Sequence, residues 1–183
     1  ESSLPGYPVI RVMPNTPCMV GMGVCAFARG SGVSDEDVDH ARAILEATGL
    51  PPELLRFEVT ERLMTRASQR MEALREIGVE LYVDDFGVGY SSLSYLRDLP
   101  VDGLKIDRSF IGGVDRDTSD AALVRAILAM GEALELAVVA EGVEREGQRR
   151  RLLEMGCRLG QGFHFVEPRA AGPMGRWLEE RRS

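Results

Sequence analysis

Asp84 and Asp85 stand side by side at the end of the apolar run VELYVDD, and the chain's only lysine, Lys105, follows in DGLKID. Glu58 with Glu61, then Asp107, Glu141 and Gln161, hold matching places in FEVTE, LKID, VVAEG and GQGF. Carboxylates gathered in one place repel one another unless positive charge lies between them, and a divalent cation is the simplest source of it. An all-oxygen donor set with no His or Cys nearby suits a hard ion such as Mg²⁺ or Mn²⁺ better than zinc. Adjacent aspartates at a strand end can bridge two ions about 3.5 to 4 Å apart, the spacing that clamps both oxygens of a phosphoryl displacement.

Every basic residue other than Lys105 and the two histidines is arginine. A compact ammonium can donate as a point charge to a metal-bound water or a developing phosphate oxyanion, whereas a guanidinium prefers a fixed bidentate partner and would overfill the space. Glu141 is placed to take a proton from the attacking water. Glu61 is expected to hold a loop by hydrogen bonding, and the glycines of DDFGVGYSS, directly after two acids, suit a gate. His40 and His164 are assigned no chemistry.

These residues need a scaffold that brings strand ends together. Residues 54–61, 79–85, 102–107, 136–144 and 157–165 read as strands, and between them lie helical stretches. One carries Met64, Ala67, Met71, Leu74 and Ile77 at helical spacing up to Gly78. A second, capped by Thr118 or Ser119, carries Leu123, Ile127, Met130 and Leu134. A third runs from Glu144 to Met155, and Pro173 opens a last one holding Trp177. Strands alternating with helices call for a parallel sheet, and crossovers of near-constant length favour a barrel over an open sheet. No GxGxxG turn follows a strand, against a dinucleotide-binding sheet. The acidic residues fall at C-terminal strand ends, where such barrels carry their chemistry.

Residues 1–49 differ: two β-like runs surround a Pro- and Gly-rich turn, then Ser34 opens an amphipathic helix with Asp37 at the capping-box position. With 183 residues the chain has room for one domain or a large part of a barrel. No apolar run reaches the roughly 18 residues of a membrane span, and no signal peptide is visible. A net charge of −7 with scattered arginines disfavours a nucleic-acid polymer as partner. Cys18, Cys25 and Cys157, an odd count without a CxxC, suit buried thiols in a reducing cytoplasm. Glu1 in place of Met suggests an excised piece.

From about Leu50 onward, FEVTE, DDFGVGYSSLSYLRDLPVDGLKIDRSFI, VVAEGVE and GCRLGQGFHFVEP resemble the EAL family of bacterial cyclic-di-GMP phosphodiesterases. The resemblance implies a modified TIM barrel and hydrolysis of cyclic di-GMP to linear pGpG with two Mg²⁺ or Mn²⁺ ions. It implies that Glu58, Asp84 and Asp85 are metal ligands, that Lys105 and Glu141 manage the attacking water, and that Gln161 supports the substrate site. By the same resemblance Glu61 tethers the loop starting at Asp84, a loop tied to homodimer contact.

The Glu-Ala-Leu motif that this family carries on an early strand, and its asparagine ligand in a V-N context, have no counterparts in the first part of the chain. Asn15, in a V-x-x-N context, is the one candidate for the asparagine's place. Instead, residues 8–49, with RVMPNTP before a VSDED helix, resemble pyrroline-5-carboxylate reductases. The expected architecture is therefore an incomplete α/β barrel of EAL type over 50–183 with a reductase-like β-β-α segment, 1–49, packed on it. The first metal position is then underprovided, which leaves as rivals a non-catalytic domain that binds cyclic di-GMP or a protein, and a chimeric fragment.

Overall fold

The structure, a computed structural model, describes residues 10–13, 24–28, 35–61, 68–89 and 96–165. Among the described residues, seven strands form one sheet in chain order: β1 (Ile10–Met13), β2 (Val24–Ala28), β3 (Leu55–Thr60), β4 (Glu80–Phe86), β5 (Gly103–Ile106), β6 (Ala137–Glu141) and β7 (Leu159–Gln161). The β1–β2 pair is antiparallel and every later pair is parallel. The crossovers carry α1 (Asp35–Thr48), α2 (Ser68–Glu76), a one-turn α3 (Arg108–Ile111), α4 (Thr118–Ala133) and α5 (Glu146–Glu154). This is an incomplete TIM-like barrel, six parallel strands with helical crossovers and one antiparallel strand at the edge.

A parallel sheet covered on both faces buries both sides of its strands. In β3, Leu55, Phe57, Glu58 and Val59 are all buried. Leu81, Val83, Leu104 and Ile106 continue that core across the sheet, and Met71, Leu74, Val124, Ile127 and Leu152 cover it from the helices. Each such side chain contributes roughly 1.5–3 kcal/mol by leaving water.

Several expected boundaries move. The cap of α4 is Asp117, whose carboxylate accepts from the backbone N–H of Ser119 at 2.7 Å and from its hydroxyl at 2.5 Å, rather than Thr118 or Ser119. A carboxylate one place upstream meets the free amides of the first turn better than a hydroxyl does. The expected strand 157–165 shortens to three residues because Gly162 turns the chain at φ 151. The one-turn α3 is an addition, started by Asp107 accepting from Ser109 N–H at 2.9 Å. The last helix, with Pro173 and Trp177, lies outside the described residues, as do Met64, Ala67, Asn15 and Cys18. Much of the reductase-like stretch lies outside them too.

Candidate active site

The parallel strands deliver their acidic residues to one rim because each stands near a C-terminal end. Glu58 lies near the end of β3, Asp84 and Asp85 near that of β4, Lys105 on β5, Glu141 last on β6 and Gln161 last on β7. The β4–β5 register shifts between Val83 and Phe86, and Asp85 adopts a left-handed φ of 52. Regular alternation up to Val83 sends these neighbours to different sides, and the irregularity begins after it. Here Asp84 turns toward Lys105 and Asp85 is left exposed.

Lys105 is 2 % exposed, and its ammonium is the hub. Nζ donates to Glu58 Oε2 at 2.5 Å and to Asp84 Oδ1 at 2.9 Å, and it pairs with Glu141 Oε1. Glu141 Oε1 also accepts from Gln161 Nε2. One oxygen from each of Glu58, Asp84 and Glu141 lies within 4.8 Å of the others. Asp85 is not in that group; its carboxyl faces Asp107 instead.

Burial sets the electrostatics. It pushes Glu58 up to about 7 against the downward pull of Lys105, with Asp84 and Glu141 adding to the rise. It raises Glu141 in the same way, against Lys105. For Lys105 burial opposes the charge, yet Glu58, Glu141 and Asp84 together hold it above the ordinary lysine range. Asp85 is raised by burial and then by the charges of Asp84 and Asp107, while hydrogen bonds from Ser109 overcome burial and hold Asp107 below its ordinary value.

The residues present fit a hard divalent cation. Glu58 Oε1 is buried with no hydrogen-bond partner among the described residues, an arrangement that costs free energy unless a further cation or donor meets it. Three carboxylates face one ammonium, and every donor is oxygen.

Glu61, just past β3, is buried and accepts backbone N–H bonds from Gly87 at 3.3 Å and Gly89 at 3.2 Å, so it ties down the loop that follows the two aspartates. A Cβ on Gly89 would come within 2.5 Å of Glu61 Oε1, so the approach depends on glycine. The tripeptide Glu-Ala-Leu does occur, at 72–74 and 132–134, but Glu72 and Glu132 are exposed on α2 and α4, away from the rim. His164 pairs with Glu146 at 3.1 Å, away from the hub's ligands. Two residues fall outside the strand-end pattern and carry local signals instead: Asp107, where Asp-x-Ser before a turn marks a cap, and Gln148, whose place three residues after Arg145 is capping-box spacing.

Comparison with known proteins gives one family and several relatives. The EAL domain model matches residues 31–168. The cyclic di-GMP phosphodiesterase NbdA of Pseudomonas aeruginosa is 46% identical over 153 residues, covering 81% of this chain and 19% of that protein. The chain thus spans about a fifth of the length of that curated relative. Among solved structures, the PaMucR phosphodiesterase in complex with c-di-GMP superposes at a TM-score of 0.77 with 40% identity, covering 83% of this chain and 64% of that one. A manganese and cyclic-di-GMP complex of Klebsiella pneumoniae BlrP1 superposes at 0.72 with 32% identity, covering 80% and 39%.

Proposed function

Because the chain belongs to the EAL domain family, we propose that its acidic rim hydrolyses one phosphodiester of cyclic di-GMP, releasing linear pGpG. The observation that carries this reading is the meeting of Glu58, Asp84 and Glu141 around Lys105 Nζ, with one buried Glu58 oxygen left without a partner.

Glu58 and Asp84 would hold Mg²⁺ or Mn²⁺, and Asp85 would join them only by turning from Asp107. Bound there, such an ion polarises a phosphoryl oxygen and lowers the pKa of a coordinated water. Lys105 donates to the phosphate oxygen on which charge develops, as a point charge in a site with little water. Glu141 accepts the proton of the attacking water; burial raises its carboxyl above the ordinary range against Lys105, which favours that acceptance, and Gln161 donates to its carboxylate. Glu61 keeps the loop at Gly87–Gly89 closed over this rim, and the same loop serves a homodimer contact. The buried thiol of Cys157 suits a reducing compartment, and the reaction belongs in the cytoplasm. Among the described residues no helix is long and apolar enough to cross a membrane. The described parts of the segment before residue 50 belong to the same sheet as the barrel strands, since β2 pairs in parallel with β3, and the EAL match itself begins at residue 31.

A second reading, a domain that binds cyclic di-GMP or a protein without turnover, is favoured by the absence of a glutamate from the described strands β1 and β2, and a chimeric fragment without evolved activity is a third. Incubation with cyclic di-GMP and Mn²⁺ followed by chromatography separates them. Formation of pGpG, abolished by a chelator, is the expected result. Saturable binding with the cyclic dinucleotide intact establishes the second reading, and neither binding nor product overturns both.

A further inference from the structure

Gln148 is 1 % exposed, and both ends of its carboxamide are engaged. Its Oε1 accepts the backbone N–H groups of Glu144 and Arg145, each at 2.8 Å. Its Nε2 donates to the Ile111 carbonyl at 2.9 Å and to that of Gly112 at 3.4 Å. The first pair of bonds grips the segment that leaves Glu141 at the end of β6. The second grips α3, which begins two residues after the strand of Lys105.

The two segments press together elsewhere as well. A Cβ on Gly142, whose φ is 72, would lie 2.7 Å from Arg108 Cβ, so the loop rests directly on α3. On its other side the same loop is tied to β7, where Val143 N–H donates to the Gln161 carbonyl at 3.0 Å and the Val143 carbonyl accepts from His164 N–H at 2.9 Å. Arg145 Nη2 reaches the Gly112 carbonyl at 2.8 Å and Asp115 Oδ1 at 2.9 Å. Gln148 is the buried member of this contact. It needs a donor and an acceptor on one side chain, which an ionised glutamate or a methionine cannot supply.

We propose that Gln148 is a positioning residue that fixes the Glu141 carboxylate relative to the Lys105 ammonium by stapling together the segments leaving their two strands. It touches neither substrate nor metal, and its bearing on turnover rests on the reading that Lys105 and Glu141 manage the attacking water. Displacements near 1 Å between reacting groups cost up to about a hundredfold in rate.

Lys105 is the sole lysine, so lysine-selective ¹⁵N labelling gives one ammonium resonance, whose position reports the Glu58, Asp84 and Glu141 contacts without any turnover. In Gln148→Met, which keeps volume and loses all four bonds, that resonance is expected to move. In Leu74→Ala, a core truncation on α2 that also lowers the melting temperature, it is expected to stay. If Gln148→Met does not fold, Gln148→Glu, which keeps the acceptor and the size, carries the same comparison. In turnover, kcat is expected to fall about tenfold with KM within about twofold. An unmoved resonance in a folded Gln148 variant, or an equal fall in kcat in Leu74→Ala, overturns the proposal. A wild type that makes no pGpG counts instead against the hydrolase reading, because the resonance comparison does not depend on it.

Discussion

The Lys105 ammonium on β5 reaches past β4 to the Glu58 carboxylate on β3, with Nζ 2.5 Å from Oε2. Three strands are thereby joined by one buried cation, since Asp84 on the intervening strand accepts from the same nitrogen at 2.9 Å. The ammonium is the counter-charge of three carboxylates, and substitutions at Lys105 separate this structural part from the proposed chemical one.

Lys105→Met leaves Glu58, Asp84 and Glu141 without their counter-charge. Removing one partner of a buried ion pair costs about 3–5 kcal/mol, so the metal-free variant is expected to melt well below the wild type. Lys105→Arg keeps the charge but not the compact geometry. It is expected to melt between Lys105→Met and the wild type, because overfilling a buried site costs about 1–3 kcal/mol, while turnover falls by about a hundredfold or more. Wild-type turnover in Lys105→Arg would show that any cation suffices there.

The pH dependence of stability follows from Glu58. Its folded value of about 7 lies above its ordinary 4.5, so between these two the folded state binds more protons than the unfolded chain. Stability is therefore fully present below 4.5 and is lost as pH rises toward 7; Glu141 and Asp85, both raised, push the same way. At about 1.4 kcal/mol per unit the Glu58 share reaches roughly 3 kcal/mol. Chelator-treated protein is expected to lose melting temperature across this window, and Glu58→Gln to flatten the slope. A melting temperature that rises from pH 4.5 to 7 would contradict the assignment.

Glu61 holds the loop after the aspartates through two amide hydrogen bonds, those of Gly87 and Gly89. A hydrogen bond to a charged group is worth about 1.5–3 kcal/mol. Glu61→Ala is expected to speed hydrogen exchange at both amides by about tenfold or more, a factor that corresponds to about 1.4 kcal/mol. Exchange at α4 amides should stay as it is. Equal acceleration in α4 would mean general destabilisation, and unchanged Gly87 and Gly89 rates would mean that the tether carries no load.

Much of the rim was legible in the sequence because parallel strands place their C-terminal residues together whatever the details of packing. Lys105, Asp84 and Glu141 need only that rule. Glu58 was ambiguous, since its neighbours Phe57 and Val59 are as apolar as a core position requires. The structure buries both faces of β3, so period-two alternation carries no direction there. The division between Asp84 and Asp85 follows period-two alternation, but which of the two faces inward is not legible from the DD pair alone; the pairing of Val83 with Leu104 sets Asp84 beside Lys105. Gln148 escaped because a capping-box glutamine looks like an ordinary helix start until its other end is seen on the Ile111 carbonyl.

The central claim is that carboxylates from separate strands share a divalent cation, and a calorimetric Mn²⁺ titration of wild type and Asp84→Asn tests it most directly. The wild type should bind saturably. Asp84→Asn should keep its melting temperature in chelator and lose affinity by at least the roughly 10- to 100-fold that outer partners of a metal ligand contribute. Equal Mn²⁺ affinity in the two proteins, or no binding to the wild type, would contradict it.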